Sequence, residues 1–288
     1  MKKFGDRRDG KKLKDLTGMM YVMTDIKKRR SYREVYIDYP IDVTELIKYN
    51  EKLDKKKDSH ITYFHLFATA IGKVIYNRPS LNIFIVNGRF YMRNDVVLSF
   101  VAKTEFNDTS EELMRVLKVA EDDNIFTLSD KISGSVKKAR TSSSSGGDKL
   151  VSFVGHMPKI FRRPIVSMFM FLDRHDWLPD SLTHELLYYS TVILSNIGSI
   201  GSRGGIYHNI TDFGTNSILA TMGEIYKKEV INKDGSREIR DFCDFGVTLD
   251  EGIADGFYMI KSVQLLQYIL NNPKLLEGKA NEKIEMKK

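Results

Sequence analysis

Leu194-Ser195-Asn196-Ile197-Gly198-Ser199-Ile200-Gly201 and Thr248-Leu249-Asp250-Glu251-Gly252-Ile253-Ala254-Asp255-Gly256-Phe257 are the two stretches whose reading decides the fold. Each follows a short apolar run of strand character, Ser190 to Leu194 and Phe245 to Leu249, so each projects its side chains from a rigid edge. Three carboxylates, Asp250, Glu251 and Asp255, crowd the second loop. Between the loops lie a strand, Ile218 to Tyr226, and a hairpin-like excursion around Asp234-Gly235. After the second loop the apolar side Ile260, Val263, Leu266 and Ile269 marks a long helix over Phe257 to Leu270.

Strands and amphipathic helices also alternate before the loops. From Arg33 to Val43 the apolar side chains Val35, Ile37, Tyr39 and Ile41 occupy one face, the pattern of a half-buried strand. Asp42, three residues before Glu45, gives a capping-box-like start to a helix carrying Val43, Leu46, Ile47 and Leu53. A second helix, Thr62 to Tyr76, is apolar almost all round and belongs deep in the fold; Asn77-Arg78-Pro79 stops it. Leu81 to Val86, Asn87-Gly88 and Arg89 to Met92 read as a hairpin with a type I′ turn. Val96 to Ala102 reads as a strand and Glu111 to Ala120 as a helix. The low-complexity run Thr141 to Gly147 then leads into Leu150 to Tyr189, which has the texture of an insertion. Its prolines 158, 164 and 179 are expected to cut it into short apolar helices. Its greasy side, with Phe153, Phe161, Met168, Phe169, Met170, Phe171 and Trp177, reads either as a flap packed on its own domain or as a partner or acyl-chain contact surface.

The 288 residues are 42% hydrophobic and 29% charged, enough for one large core or two modest ones, which excludes disorder as the main state. The net charge of +7 favours anionic partners: phosphorylated cofactors, nucleic acid or acidic lipid. Cys243 is the only cysteine, so no internal disulfide or cysteine-based zinc site exists, and a reducing, cytoplasmic address is the default expectation. No apolar run approaches the roughly 20 residues of a membrane-spanning helix, and no secretory signal is recognisable at the N-terminus. The six histidines lack metal-ligand spacing, and no metal is expected. No Walker loop, dinucleotide fingerprint or nucleic-acid recognition module is found, so nucleic acid is not an expected partner. The basic clusters Lys27 to Arg30 and Lys55 to Lys57 read either as solvated surface or as binders of cofactor phosphates or nucleic acid.

Taken together, the two loops resemble the catalytic core of the dihydrolipoyl acyltransferases of 2-oxo-acid dehydrogenase complexes and its relative chloramphenicol acetyltransferase. The resemblance runs from about Tyr32 to Glu277, interrupted by the insertion. In that superfamily the second loop reads Asp-His-Arg, two variable residues, Asp-Gly. Asp250, Asp255 and Gly256 match it, Glu251 stands at the catalytic histidine, and Gly252 stands where arginine is common. The resemblance implies an α/β chloramphenicol acetyltransferase-like two-layer sandwich with a mixed sheet, plus the helical insertion. It divides the chain into a basic extension (1–31), an acyltransferase-like domain (32–277, with loop and insertion at 141–189) and a charged tail (278–288) expected to fray.

The resemblance also implies roles. Ser195 would donate to the tetrahedral oxyanion and Asp255 would hold the loop in shape, while Asn196, Gly198, Gly201 and Gly256 would shape the cleft around coenzyme A or acyl-CoA. Glu251 would either do the work of the histidine, although an ordinary carboxylate is a much weaker base than an imidazole, or stand as a ligand-binding or inert replacement. Repulsion from Asp250 and Asp255 would help it hold a proton unless a lysine or arginine neutralises the group first. His208, thirteen residues after Ser195, is an alternative base, or else an ordinary surface or core histidine. Superfamily members assemble as trimers with the active site between subunits, so a homotrimer is implied in which Ser195 and Glu251 meet across an interface. With no room for a lipoyl domain before the core and no lipoyl attachment site, the chain reads as a stand-alone variant. The functional expectation is a CoA-dependent acyltransferase-like protein with an unknown acceptor. The alternative is a catalytically lapsed acyltransferase fold that binds or assembles.

Overall fold

The half-buried strand expected after Arg33 runs over Glu34–Asp42 (β2) and lies at one edge of a six-stranded sheet. The computed structural model describes residues 5–56, 61–103, 112–141 and 152–286. The sheet continues through β5 (Val96–Lys103), β6 (Glu112–Val119), β7 (Val192–Asn196), β8 (Ile218–Ile231) and β9 (Arg237–Asp250), in the order β2-β9-β8-β7-β5-β6. It is mixed: β7 is parallel to both β5 and β8, and the remaining neighbours are antiparallel. A smaller antiparallel sheet joins β1 (Gly10–Lys12) to the hairpin of β3 (Ile83–Val86) and β4 (Arg89–Arg93). Asn87 and Gly88 both have positive φ, 51° and 67°, as the expected type I′ turn requires.

Helices cover one face of the large sheet. Helix α2 (Thr44–Lys56) starts where Asp42 accepts the Thr44 N–H at 3.0 Å. Helix α3 (Tyr63–Asn77) is capped by Thr62 and buried along most of its length. With α4 (Ile125–Thr141) and the C-terminal helix (Gly256–Asn271), it packs Leu66, Phe67, Ile132 and Leu266 onto Leu194, Ala220, Phe245 and Val247. This is the two-layer α/β sandwich with a mixed sheet that the resemblance implies. The other face carries Ser99, Thr221 and Thr248, and residues 202–217 cross part of it: Ile206 N–H donates to Thr221 Oγ1 at 3.0 Å. A Cβ on Gly205 would lie 2.4 Å from the Gly246 nitrogen, so glycine is what lets that segment settle on the sheet.

Three local expectations change. Glu111 to Ala120, read as a helix, is strand β6 from Glu112, paired in register with β5 from Val96↔Val119 to Lys103↔Glu112. Its Leu, Met, Lys and Glu are good helix formers, but an open strand edge at β5 overrides that preference. Pro164 does not cut the insertion: one helix, α5 (Lys159–Arg174), runs through it. A proline there removes a single backbone hydrogen bond near the helix start. Pro158 instead caps that helix, and Pro179 caps the short helix Asp180–Thr183. The low-complexity residues 142–147 lie outside the described residues. The tail expected to fray is pinned as far as Ile284, whose N–H donates to Asn77 Oδ1 at 2.9 Å. Buried Lys73 donates to the carbonyls of Gly278 and Lys279 at 3.0 and 2.6 Å, and burial holds its ammonium below the usual lysine value. The N-terminal residues are built in as well, through β1 and helix α1 (Gly18–Ile26).

Candidate active site

The second loop leaves β9 at Asp250, and its three carboxylates take three different partners. Asp250 is fully buried and receives both Nε and Nη2 of Arg33 at 2.7 Å, a bidentate pair. It also accepts the Gly252 N–H at 2.9 Å. A Cβ on Gly252 would lie 2.6 Å from Ile85 Cδ1 and 3.1 Å from Arg33 Nε, so Arg33 packs into the room that glycine leaves. Asp255 caps the C-terminal helix, accepting the Tyr258 N–H at 2.7 Å, and Gly256 is that helix's first residue. Glu251 is half exposed and is bonded by Lys27 Nζ at 3.1 Å. The expected mutual repulsion of the three acids is therefore offset pair by pair.

Glu251 borders a cavity of about 570 Å3. Its wall includes Met19, Met20 and Met23 of α1, Ile83 of β3 and Tyr258 of the C-terminal helix. This volume lies within the usual range of small-molecule sites, and thioethers adapt to apolar chains of varied shape.

The first loop sits at the far end of the sheet. Ser195 is level with Thr221 of β8, which is level with Gly246 of β9. No hydrogen bond engages its hydroxyl among the described residues. Asn196 turns the chain: its Oδ1 accepts the Ser199 N–H at 3.2 Å and its carbonyl accepts the Ser199 hydroxyl at 2.8 Å. A Cβ on Gly198 would lie 2.3 Å from the Gly223 carbonyl oxygen, and Gly201 has φ +77°. These two glycines are required by the backbone path itself.

Glu251 lies five residues beyond Gly246 and two strands across from Ser195. Strand rise and spacing then set the two backbones roughly 19 Å apart within one protomer. The fold does not bring Ser195 and Glu251 together in one chain. His208 is exposed; its N–H lies 3.4 Å from Thr248 Oγ1 and its Nδ1 3.0 Å from the Asn209 carbonyl oxygen. Its segment is held by Glu34, which bonds Asn209 Nδ2 at 2.9 Å, the Ile210 N–H at 2.6 Å and the Tyr207 hydroxyl. His208 thus shares with Ser195 the face opposite the main helical layer, two strands away, with Ile206 and Thr221 between.

Solved structures with this arrangement are numerous. A probable dihydrolipoamide acetyltransferase from Listeria monocytogenes superposes with a TM-score of 0.59 at 18% identity, covering 91% of this chain and 95% of that one. The fold is the chloramphenicol acetyltransferase-like fold. An Azotobacter vinelandii dihydrolipoamide acetyltransferase, solved to probe a serine, a histidine and an asparagine in its catalytic mechanism, has a TM-score of 0.61 at 14% identity, over 92% and 94% of the chains. A chloramphenicol acetyltransferase has a TM-score of 0.53 at 10% identity, over 91% and 99%. No family model and no curated protein sequence matches the chain.

Within this acyltransferase fold, sequence reasoning passed over Arg33, the methionines of α1 and the pairing of Lys27 with Glu251. Met19, Met20 and Met23 share a helical face, a signal available in the sequence and masked by the charged residues around it. The basic cluster is divided. Lys27 pairs with Glu251, and buried Arg30 donates to the carbonyls of Thr211, Ile85 and Gly214, burial holding its guanidinium's pKa below the usual arginine value. Lys28 and Arg29 line a separate polar cleft of about 440 Å3 with Arg174. Of the second cluster, Lys57 lies outside the described residues. Among the described residues no cluster of metal ligands forms, and no helix is long and apolar enough to cross a membrane.

Proposed function

We propose that this protein transfers an acyl group from a coenzyme A thioester to an acceptor, in active sites shared between neighbouring copies of a homotrimer. The observation that carries the proposal is the Glu251 cavity. Glu251, which the family resemblance sets at the catalytic histidine's position, lies on a loop locked by the buried Arg33–Asp250 pair and borders a space wide enough for a thioester arm. Ser195 supplies the complementary half from the next copy. Exposed apolar residues flank both halves, Ile200 and Ile206 beside Ser195, and Met19 and Phe257 beside Glu251, as a subunit contact needs.

In this reading Glu251 takes the proton of the acceptor's nucleophile as that atom attacks the thioester carbonyl carbon. The tetrahedral oxyanion receives a hydrogen bond from the Ser195 hydroxyl. Collapse breaks the carbon–sulfur bond, and the departing thiolate recovers the proton from Glu251. Asp255 holds the helix start below the loop; Asn196, Gly198, Gly201 and Gly256 shape the approach. Lys27 pairs with that carboxylate, and Lys28 and Arg29 offer charge to coenzyme A phosphates. The test is thiol release from a panel of acyl-CoA thioesters with candidate acceptors, with Ser195→Ala and Glu251→Gln each expected to slow it at least about tenfold. If neither variant alters the rate, the assignment fails.

The Lys27–Glu251 ion pair favours one second reading, because a carboxylate committed to a salt bridge is a poorer base: a lapsed acyltransferase fold that binds or assembles. It predicts a thermal shift with acyl-CoA at most, and no thiol release. Under the first reading His208→Ala leaves turnover intact; a loss would make the histidine the base.

A further inference from the structure

Helix α5 carries two apolar faces, and only one is used by the body of the protein. Val166, Phe169 and Met170 close a cavity of about 450 Å3 against Tyr188 and Phe213. The helix is pinned at its C-terminal end. Buried Asp173 accepts the Tyr189 hydroxyl at 2.6 Å and the Gly214 N–H at 2.9 Å, and Asn87 Nδ2 donates to the Arg174 carbonyl at 3.2 Å. The other face points outward: Ile160, Phe161, Met168 and Phe171, each more than half exposed. At 3.6 residues per turn these four positions fall within an arc of about 100°. Trp177, also more than half exposed, extends the stripe, tilted against His175 and edge-on to Phe171 at centroid separations of 5.1 and 5.9 Å.

Cations flank this stripe along the helix. Lys159, Arg163 and Arg174 are exposed on its flank, and none forms an ion pair among the described residues. The two acids of the segment are turned inward, Asp173 into the protein and Asp176 toward Arg8 at 3.3 Å. We infer that α5 docks this face on an anionic phospholipid bilayer, lying in the plane of the headgroups with its aromatic and aliphatic side chains among the upper acyl carbons. An exposed arc of Phe, Ile and Met ending in Trp and edged by Lys and Arg is the chemistry of an interfacial helix. Charge complementarity selects the occupant. Self-contact through this face would bring cationic rims together in a chain of net charge +7, whereas an anionic leaflet attracts both rim and protein. The inference stands independently of acyl transfer.

Trp177 is the only tryptophan, so its emission reports on this face directly. The full-length protein is titrated with phosphatidylcholine vesicles with and without phosphatidylglycerol. Expected are a blue shift and co-sedimentation with the anionic vesicles only, weakened by high salt. Arg163→Glu with Arg174→Glu, and separately Phe161→Ser with Met168→Ser, are each expected to weaken binding at least about tenfold while leaving thermal unfolding unchanged. No blue shift with anionic vesicles, or equal binding to neutral ones, overturns the inference. So does a change of mass in light scattering caused by Phe161→Ser with Met168→Ser, which would make the face a contact between copies.

Discussion

Mixing two inactive variants tests the shared site most directly. Ser195 and Glu251 belong to opposite ends of the same sheet, roughly 19 Å apart by strand rise and spacing, whereas groups acting on one thioester carbon must each come within about 3–3.5 Å of it. Neither side chain can cover the difference, so one chain cannot build the site alone. Ser195→Ala and Glu251→Gln are therefore each expected to retain at most about a tenth of wild-type thiol release. When the two variants are co-expressed in equal amounts and assemble at random, each interface draws its serine from one copy and its glutamate from the next. About one interface in four then holds both intact groups, and the mixture is expected to recover about a quarter of wild-type turnover. The assay is thiol release by the co-purified mixture, against each parent and against parents mixed after assembly. Recovery no greater than the parents' mean, with the assembled mass unchanged, refutes the shared-site reasoning.

Breaking the buried Arg33–Asp250 pair with Asp250→Asn is expected to cost about 3–5 kcal/mol in urea unfolding, because a guanidinium is left buried without its anion; a loss within error would mean the loop is held otherwise. Gly252→Arg, which restores the residue common in the superfamily, is expected to destabilise by about 1–3 kcal/mol through contact with Ile85 and Arg33, and an unchanged midpoint would contradict that packing. His65 is lowered by burial, and its Nδ1 lies 2.9 Å from Ser129 Oγ and accepts the Thr62 N–H at 3.3 Å. The unfolded chain therefore binds the proton more readily, and stability is expected to rise with pH through the window just below about 6.5 and to be lost as pH falls through it. Melting temperatures across that window should show this slope in the wild type and less of it in His65→Gln. Burial pushes the Cys243 thiol up to about 12, so thiol reagents are expected to leave it unlabelled until denaturant is added; rapid native labelling would contradict its burial.

The alternation of Val35, Ile37, Tyr39 and Ile41, the Asn87-Gly88 turn and the all-round apolar helix from Tyr63 were legible because each is a local pattern with one matching backbone geometry. The strand at Glu112–Val119 was not, since its residues suit a helix and only the free edge of β5 makes them a strand. Pro164 misled for a similar reason: α5 tolerates one missing hydrogen bond near its start. At the candidate site the two loops and their residue types were readable. Their partners were not. Lys27 meets Glu251 across 224 residues and Arg33 meets Asp250 across 217, distances over which no periodicity in the chain carries information. The sequence by itself thus determined individual strands, turns and helices, because hydrophobic periodicity and turn chemistry act over a few residues, and its family resemblance implied the layered α/β fold and the chemistry of the two loops. Only the tertiary structure decided that those loops stand at opposite ends of one sheet and that each acid has its own partner, because strand order and register are set by which distant surfaces bury one another.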